Sequence, residues 1–266
     1  SGTEVTKSVA DMVIADDNFT TIVGAVREGR RISSNIKKTI QFFLSTNLAE
    51  VLAIMLVTFI FAGCNFLPST QLLWINLITD SFPVLALGVE KGLGDDMKHA
   101  PERAEKSLFS RPSLLSVLFS SLYITGVTVA AYAFTLVRFG NAEATTVAFL
   151  TLSFAELFHA FNVRSGNRSA FAGMFTNKVL LATVAVGIAV NVGLCLSPLA
   201  AAFGIAAIPA SLWGLVCGIS LSVILFGEIY KLIARLFSRK GARPATVKSG
   251  TFRGSVKGSK AVNSVK

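Results

Sequence analysis

Six apolar runs, at about 39–63, 70–90, 113–137, 145–163, 178–199 and 209–231, constrain this 266-residue chain more than any other feature. A helix needs about 20 apolar residues, at a rise of about 1.5 Å each, to cross a hydrocarbon layer about 30 Å thick. Inside that layer only helices and closed barrels satisfy every backbone N–H and C=O, and the period-two alternation of barrel strands is absent here. Hydrophobic residues make up 52% and charged residues 15%, well below the share of about one quarter usual in soluble domains. The expected fold class is an all-α membrane protein with six transmembrane helices.

A net charge of +10 raises the question of a nucleic-acid partner. The basic residues instead lie between the apolar runs, where they suit anionic lipid, so membrane lipids are the expected partner and nucleic acid is not. Segment 91–112 carries Lys91, Lys98, Arg103, Lys106 and Arg111, and segment 164–178 carries Arg164, Arg168 and Lys178. Arg30, Arg31, Lys37 and Lys38 precede the first run, and the tail from Lys231 onward is also basic. The connections near 64–69, 138–144 and 200–208 hold Arg138 alone. Basic loops stay cytoplasmic, so six spans with both termini cytoplasmic fit this alternation. The short loops on the opposite side favour a bacterial plasma membrane.

Residues 1–36 form a polar head in which Asp11–Ala15 reads as a short strand. Asp16, Asp17 and Asn18 then offer N-cap chemistry, and Ile22, Val23 and Val26 follow helical spacing from Phe19 onward. The six-span portion covers 37–237, and 238–266 is expected to be a disordered basic tail. The chain begins without Met and without an apolar leader, as the C-terminal part of something longer would. Cys64, Cys195 and Cys217 have no ligand spacing and read as small hydrophobes, against copper or zinc chemistry.

An ionised acid at the bilayer centre costs at least ~2.5 kcal/mol, so acids within the runs need a reason. Glu50 lies in the first run, Asp80 in the second and Glu156 in the fourth. Asn47 and Glu50 are i and i+3, while Asn76, Thr79 and Asp80 are i, i+3 and i+4, so each set shares a helix face. Pro83 lacks an N–H and frees the carbonyl of Thr79. Carboxylates, amides, a hydroxyl and a free carbonyl make an all-oxygen set that suits a hard cation such as Ca2+. Glu156 has only Ser153 and His159 on its face; His159 reads as a hydrogen-bonded packing residue, and Glu228 as an interfacial or ion-paired acid.

These residues resemble the C-terminal part of a P-type Ca2+-transporting ATPase of the sarcoplasmic-reticulum-like kind. The run Gln71–Asp80 is the most specific stretch. Gly2–Lys7 and Met12–Phe19 resemble the end of that family's phosphorylation domain, a short α/β remnant, and Glu28–Arg30 with Asn35–Lys38 resemble its stalk. The resemblance implies that the six spans are the family's fifth to tenth membrane helices. It also implies that Asn47, Glu50, Asn76, Thr79, Asp80 and Glu156 are cation ligands. Related Na+ and K+ pumps carry Asp where Asn76 stands, and many single-site Ca2+ pumps lack an acid at Glu50. Ser81 stands where Gly is frequent, and the loop with Asp95, Asp96, Met97 and Pro101 is more basic than in animal pumps.

The resemblance implies an ATP-driven pump that moves Ca2+ out of the cytoplasm by alternating access. The chain lacks the Asp-Lys-Thr-Gly phosphorylation motif, the nucleotide domain, the actuator and the fourth membrane helix with its ligands. ATP and Mg2+ would therefore act only through other domains of the pump, and this chain is not expected to hydrolyse ATP alone. Two alternatives compete: a stand-alone passive cation channel or transporter, and a non-transporting membrane subunit with structural acids.

Overall fold

The computed structural model describes residues 3–15, 18–61, 63–64, 66–91, 97, 110–166, 168–171 and 176–241. Asp16, Asp17, the loop residues Asp95, Asp96 and Pro101, and the tail beyond Gly241 lie outside the described residues. Helix α1 spans Glu4–Val9, capped by Thr3, whose hydroxyl accepts from the N–H of Thr6. The run Asp11–Ala15, expected as a strand, is irregular, and no strand occurs among the described residues. A strand needs a partner for its backbone groups; Met12 and Val13 are instead 56% and 53% exposed.

Asn18 caps α2, Phe19–Ile60, through its side-chain oxygen and the N–H of Thr20. The polar stretch after Phe19 and the first apolar run are thus one 42-residue helix, roughly 60 Å long at its standard rise. The second run is broken. It comprises α3, Ser69–Trp74, a π-helical turn, Ile75–Thr79, and α4, Ser81–Gly88. The remaining helices are α5, Arg111–Arg138, α6, Asn141–Ser165, and α7, Lys178–Leu196. A 3-10 turn, Pro198–Phe203, leads to α8, Ala210–Gly241, which continues past the apolar run into the expected tail. Residues 1–231 form one unit, and a second begins at Leu232.

Among the described residues, six helices are long and apolar enough to cross a membrane. Their burial separates them: the apolar window of α6 is 94% buried, whereas the other five lie between 28% and 39%. Helix α6 is therefore enclosed by neighbours and the others turn broad faces outward. Phe149, Leu150, Leu152 and Leu157 of α6 are fully buried.

Membrane helices approach most closely where small residues face a neighbour. A Cβ placed on Gly187 of α7 would lie 2.8 Å from Leu157, and one placed on Gly227 of α8 would lie 2.3 Å from the Asn162 amide. That amide donates to the Val223 carbonyl at 2.8 Å, so it has little freedom to retreat. Gly227→Ala is expected to destabilise the bundle by about 1–3 kcal/mol through overpacking, read as a lower detergent unfolding midpoint. An unchanged midpoint would refute the tight α6–α8 contact.

Candidate cation site

Three acids from three elements lie buried inside the bundle: Glu50 of α2, Asp80 between the π-helical turn and α4, and Glu156 of α6. Glu50 is 5% exposed, and Asp80 and Glu156 are fully buried. The Asn76 amide donates to both Glu50 oxygens, at 3.0 and 2.9 Å, which ties the second span to α2. The Thr46 hydroxyl donates to Asp80 Oδ2 at 3.2 Å, a second tie between the same elements. Glu156 lies within electrostatic range of Asp80 and, more weakly, of Glu50.

The π-helical turn explains how one span presents several polar groups at one depth. The N–H of Asp80 bonds the carbonyl of Ile75 at 3.0 Å, so the ring has one more residue than an α-turn. Pro83 cannot donate to the carbonyl of Thr79 four residues before it. The Ser81 hydroxyl donates to the Leu77 carbonyl at 2.6 Å, so this serine satisfies a carbonyl of the turn itself.

Buried polar atoms normally find partners. Asp80 Oδ1 and both Glu156 oxygens have no hydrogen-bond partner among the described residues. These three carboxylate oxygens are acceptors in want of donors or of a cation. No three His, Cys, Asp or Glu side chains among the described residues converge on a single metal-binding point. A cation here would therefore draw on hydroxyl and amide oxygens besides carboxylates, as a hard ion does.

Of the six residues expected from the sequence, Glu50 and Asn76 are bonded directly, and Asp80 and Glu156 are both fully buried in the bundle. Thr79 is fully buried in the turn. Asn47 is exposed, and its amide donates to the Phe43 carbonyl of its own helix at 2.9 Å rather than to the cluster. Thr46 takes the inward place instead. Sequence reasoning also missed Asn191 of α7, which is fully buried within hydrogen-bond reach of Thr79 and Trp74.

The groups set aside in the sequence also have places. The ring of His159 stacks on Phe42 at 6.3 Å, but neither ring nitrogen has a hydrogen-bond partner, contrary to the expected bond. An apolar wall from Phe42 on one side accounts for the stacking without the bond. Glu228 pairs with Lys231 at 3.3 Å and accepts from the N–H of Ala170 at 2.5 Å. Glu90, beyond the end of α4, forms a buried pair with Arg164 at 3.0 Å and also accepts from Asn177. Arg164 donates to Thr176 at 2.8 Å, and Asn35 of α2 donates to the carbonyls of Gly88 and Glu90 at 3.1 and 2.9 Å.

Six apolar helices around a buried cluster of acids define a multi-pass membrane protein with an internal polar site. The family model described as cation transporting ATPase, C-terminus, matches residues 64–233, and the chain belongs to that family. It is 38% identical over 252 residues to a calcium-transporting ATPase 1 of Bacillus cereus, covering 87% of this chain and 28% of the relative. A calcium-transporting ATPase of Bacillus subtilis is 35% identical over 225 residues, covering 83% and 25%. A calcium-transporting ATPase type 2C member 2 of Rattus norvegicus is 32% identical over 249 residues, covering 91% and 26%. The chain thus spans about a quarter of the length of these relatives.

Proposed function

We propose that this chain is the cation-binding transport portion of an ATP-driven Ca2+ pump, in which Glu50, Asn76, Thr79, Asp80 and Glu156 hold the transported ion. The observation that carries this reading is the set of buried carboxylate oxygens without a partner among the described residues, Asp80 Oδ1 and both oxygens of Glu156, in the same bundle as the buried Glu50. An amide N–H cannot ligate a cation, so Asn76 would contribute its oxygen and keep Glu50 in line through its nitrogen. Asn47, exposed on α2, would join only through a neighbour outside this chain. The names of the relatives, calcium-transporting ATPases, support Ca2+ as cargo.

Residues 1–36 fit the end of a phosphorylation domain and the stalk, 37–237 the membrane transport domain and 238–266 a basic tail. ATP and Mg2+ would act in other domains of the pump, which are its partners together with membrane lipids. Phosphorylation there would move α2 and switch the site from cytoplasmic access to release on the far side. Both termini would face the cytoplasm, from the distribution of Lys and Arg, and a bacterial plasma membrane suits the short opposite loops.

The test is equilibrium 45Ca2+ binding to the purified 266-residue chain in detergent, wild type against Glu50→Gln, with Mg2+ and Na+ as competitors. Gln keeps the bond acceptor for Asn76 and removes the charge. About tenfold weaker Ca2+ binding is expected, equivalent to roughly 1.4 kcal/mol. Equal binding by both proteins would sink the reading, and passive Ca2+ flux in vesicles that needs Glu50 would favour a channel.

A further inference from the structure

The Asn191 side chain bridges the two flanks of the π-helical turn. Its Oδ1 accepts from the Trp74 indole N–H at 3.2 Å, immediately before the turn. Its Nδ2 donates to the Thr79 hydroxyl at 3.1 Å, at the end of the turn, and to the Gly187 carbonyl at 2.8 Å. The indole is a donor only and the Gly187 carbonyl an acceptor only, so the two ends of the amide have no freedom to exchange. Close approach of α7 is a condition of this reach. Gly187, one turn before Asn191, meets Leu157 of α6 where a Cβ would lie 2.8 Å away.

A π-turn has one residue more in its ring than an α-turn, and such turns are rare overall and frequent at functional sites. Asn191 grips this one from outside, and by donating to the Thr79 oxygen it directs the remaining lone pair and the hydroxyl proton of Thr79. Partners behind a ligand typically set metal affinity by 10- to 100-fold. We infer that Asn191 is a positioning residue for the cation site, holding the Ile75–Thr79 turn through Trp74 and orienting the Thr79 oxygen towards the ion. The inference rests on the cation reading of the previous subsection.

The experiment is a double-mutant cycle on the full chain with Trp213→Phe, which leaves Trp74 as the only tryptophan because the chain has two. Asn191→Leu, similar in volume, is expected to weaken 45Ca2+ binding about tenfold and to shift the emission of Trp74 to the blue as its indole loses its acceptor. In a Thr79→Val background the same change should cost clearly less Ca2+ affinity, because only the hold through Trp74 is left to lose, while the blue shift persists. Asn191→Leu costing as much in the Thr79→Val background as without it would reduce Asn191 to helix-to-helix glue and overturn the inference. Unchanged binding and emission in Asn191→Leu would overturn it alone, provided Asp80→Asn weakens binding in the same assay. Indifference to Asp80→Asn as well overturns the cation reading and this inference with it.

Discussion

Asp80→Asn will lower Ca2+ affinity by about 10- to 100-fold, the equivalent of roughly 1.5–3 kcal/mol for a charged group in a buried site. The amide is the same size as the carboxylate and still accepts from the Thr46 hydroxyl, 3.2 Å from Oδ2, so the fold should hold. What changes is the charge carried by Oδ1, which has no partner among the described residues. The same substitution has an opposite effect without the ion. Asp80, Glu50 and Glu156 are acids buried in one bundle, and uncompensated buried charge is destabilising. Asp80→Asn should therefore raise the unfolding midpoint in chelator and reduce the further rise that Ca2+ brings to the wild type. Thermal unfolding in detergent, with chelator and with Ca2+, reads both. A midpoint that falls in chelator, with Ca2+ affinity unchanged, would mean that Asp80 is a structural acid.

Arg164→Ala is expected to cost about 3–5 kcal/mol, because it strands Glu90 as a buried, uncompensated charge. Arg164 and Glu90 are 5% and 4% exposed and 3.0 Å apart. Asn177 remains as a donor to Glu90, but the arginine bond to Thr176 goes as well. The pair joins the end of α6 to the segment after α4, beside the two carbonyls that Asn35 of α2 holds. Arg164→Met combined with Glu90→Gln removes both charges and keeps volume, and should recover much of the loss. Urea unfolding in detergent measures the series. A single Arg164→Ala variant within about 1 kcal/mol of wild type would show that the pair is not buried in the working protein.

The spans were legible because lipid enforces length and apolarity, and the acids because charge inside an apolar run is costly. Periodicity is a weaker guide to which face points inward. Glu50 is i+3 from Asn47 but i+4 from Thr46, so both pairings satisfy a helix, and only the neighbours of α2 select Thr46. Asn191 lies in an apolar run, its side-chain partners Trp74 and Thr79 are more than 100 residues away in sequence, and no local pattern could single it out. Pro83 pointed to a free carbonyl at Thr79, but the π-helical turn that ends at Thr79 begins at Ile75, where neither Pro nor Gly marks it. The run Asp11–Ala15 had strand composition, but a strand is a property of a pair of segments and not of one.

Asn35 sits close to the middle of the stretch of α2 between Phe19 and Glu50, about 24 Å from the first and 22 Å from the second at helical rise. Its grip on Gly88 and Glu90 makes it a fulcrum with nearly equal arms. Any rocking of that unbroken rod about Asn35 carries Glu50 about as far as Phe19 travels, in the opposite direction. The two arms are close to one to one in length, so a rigid tilt about Asn35 would move the carboxylate by about the displacement applied at Phe19.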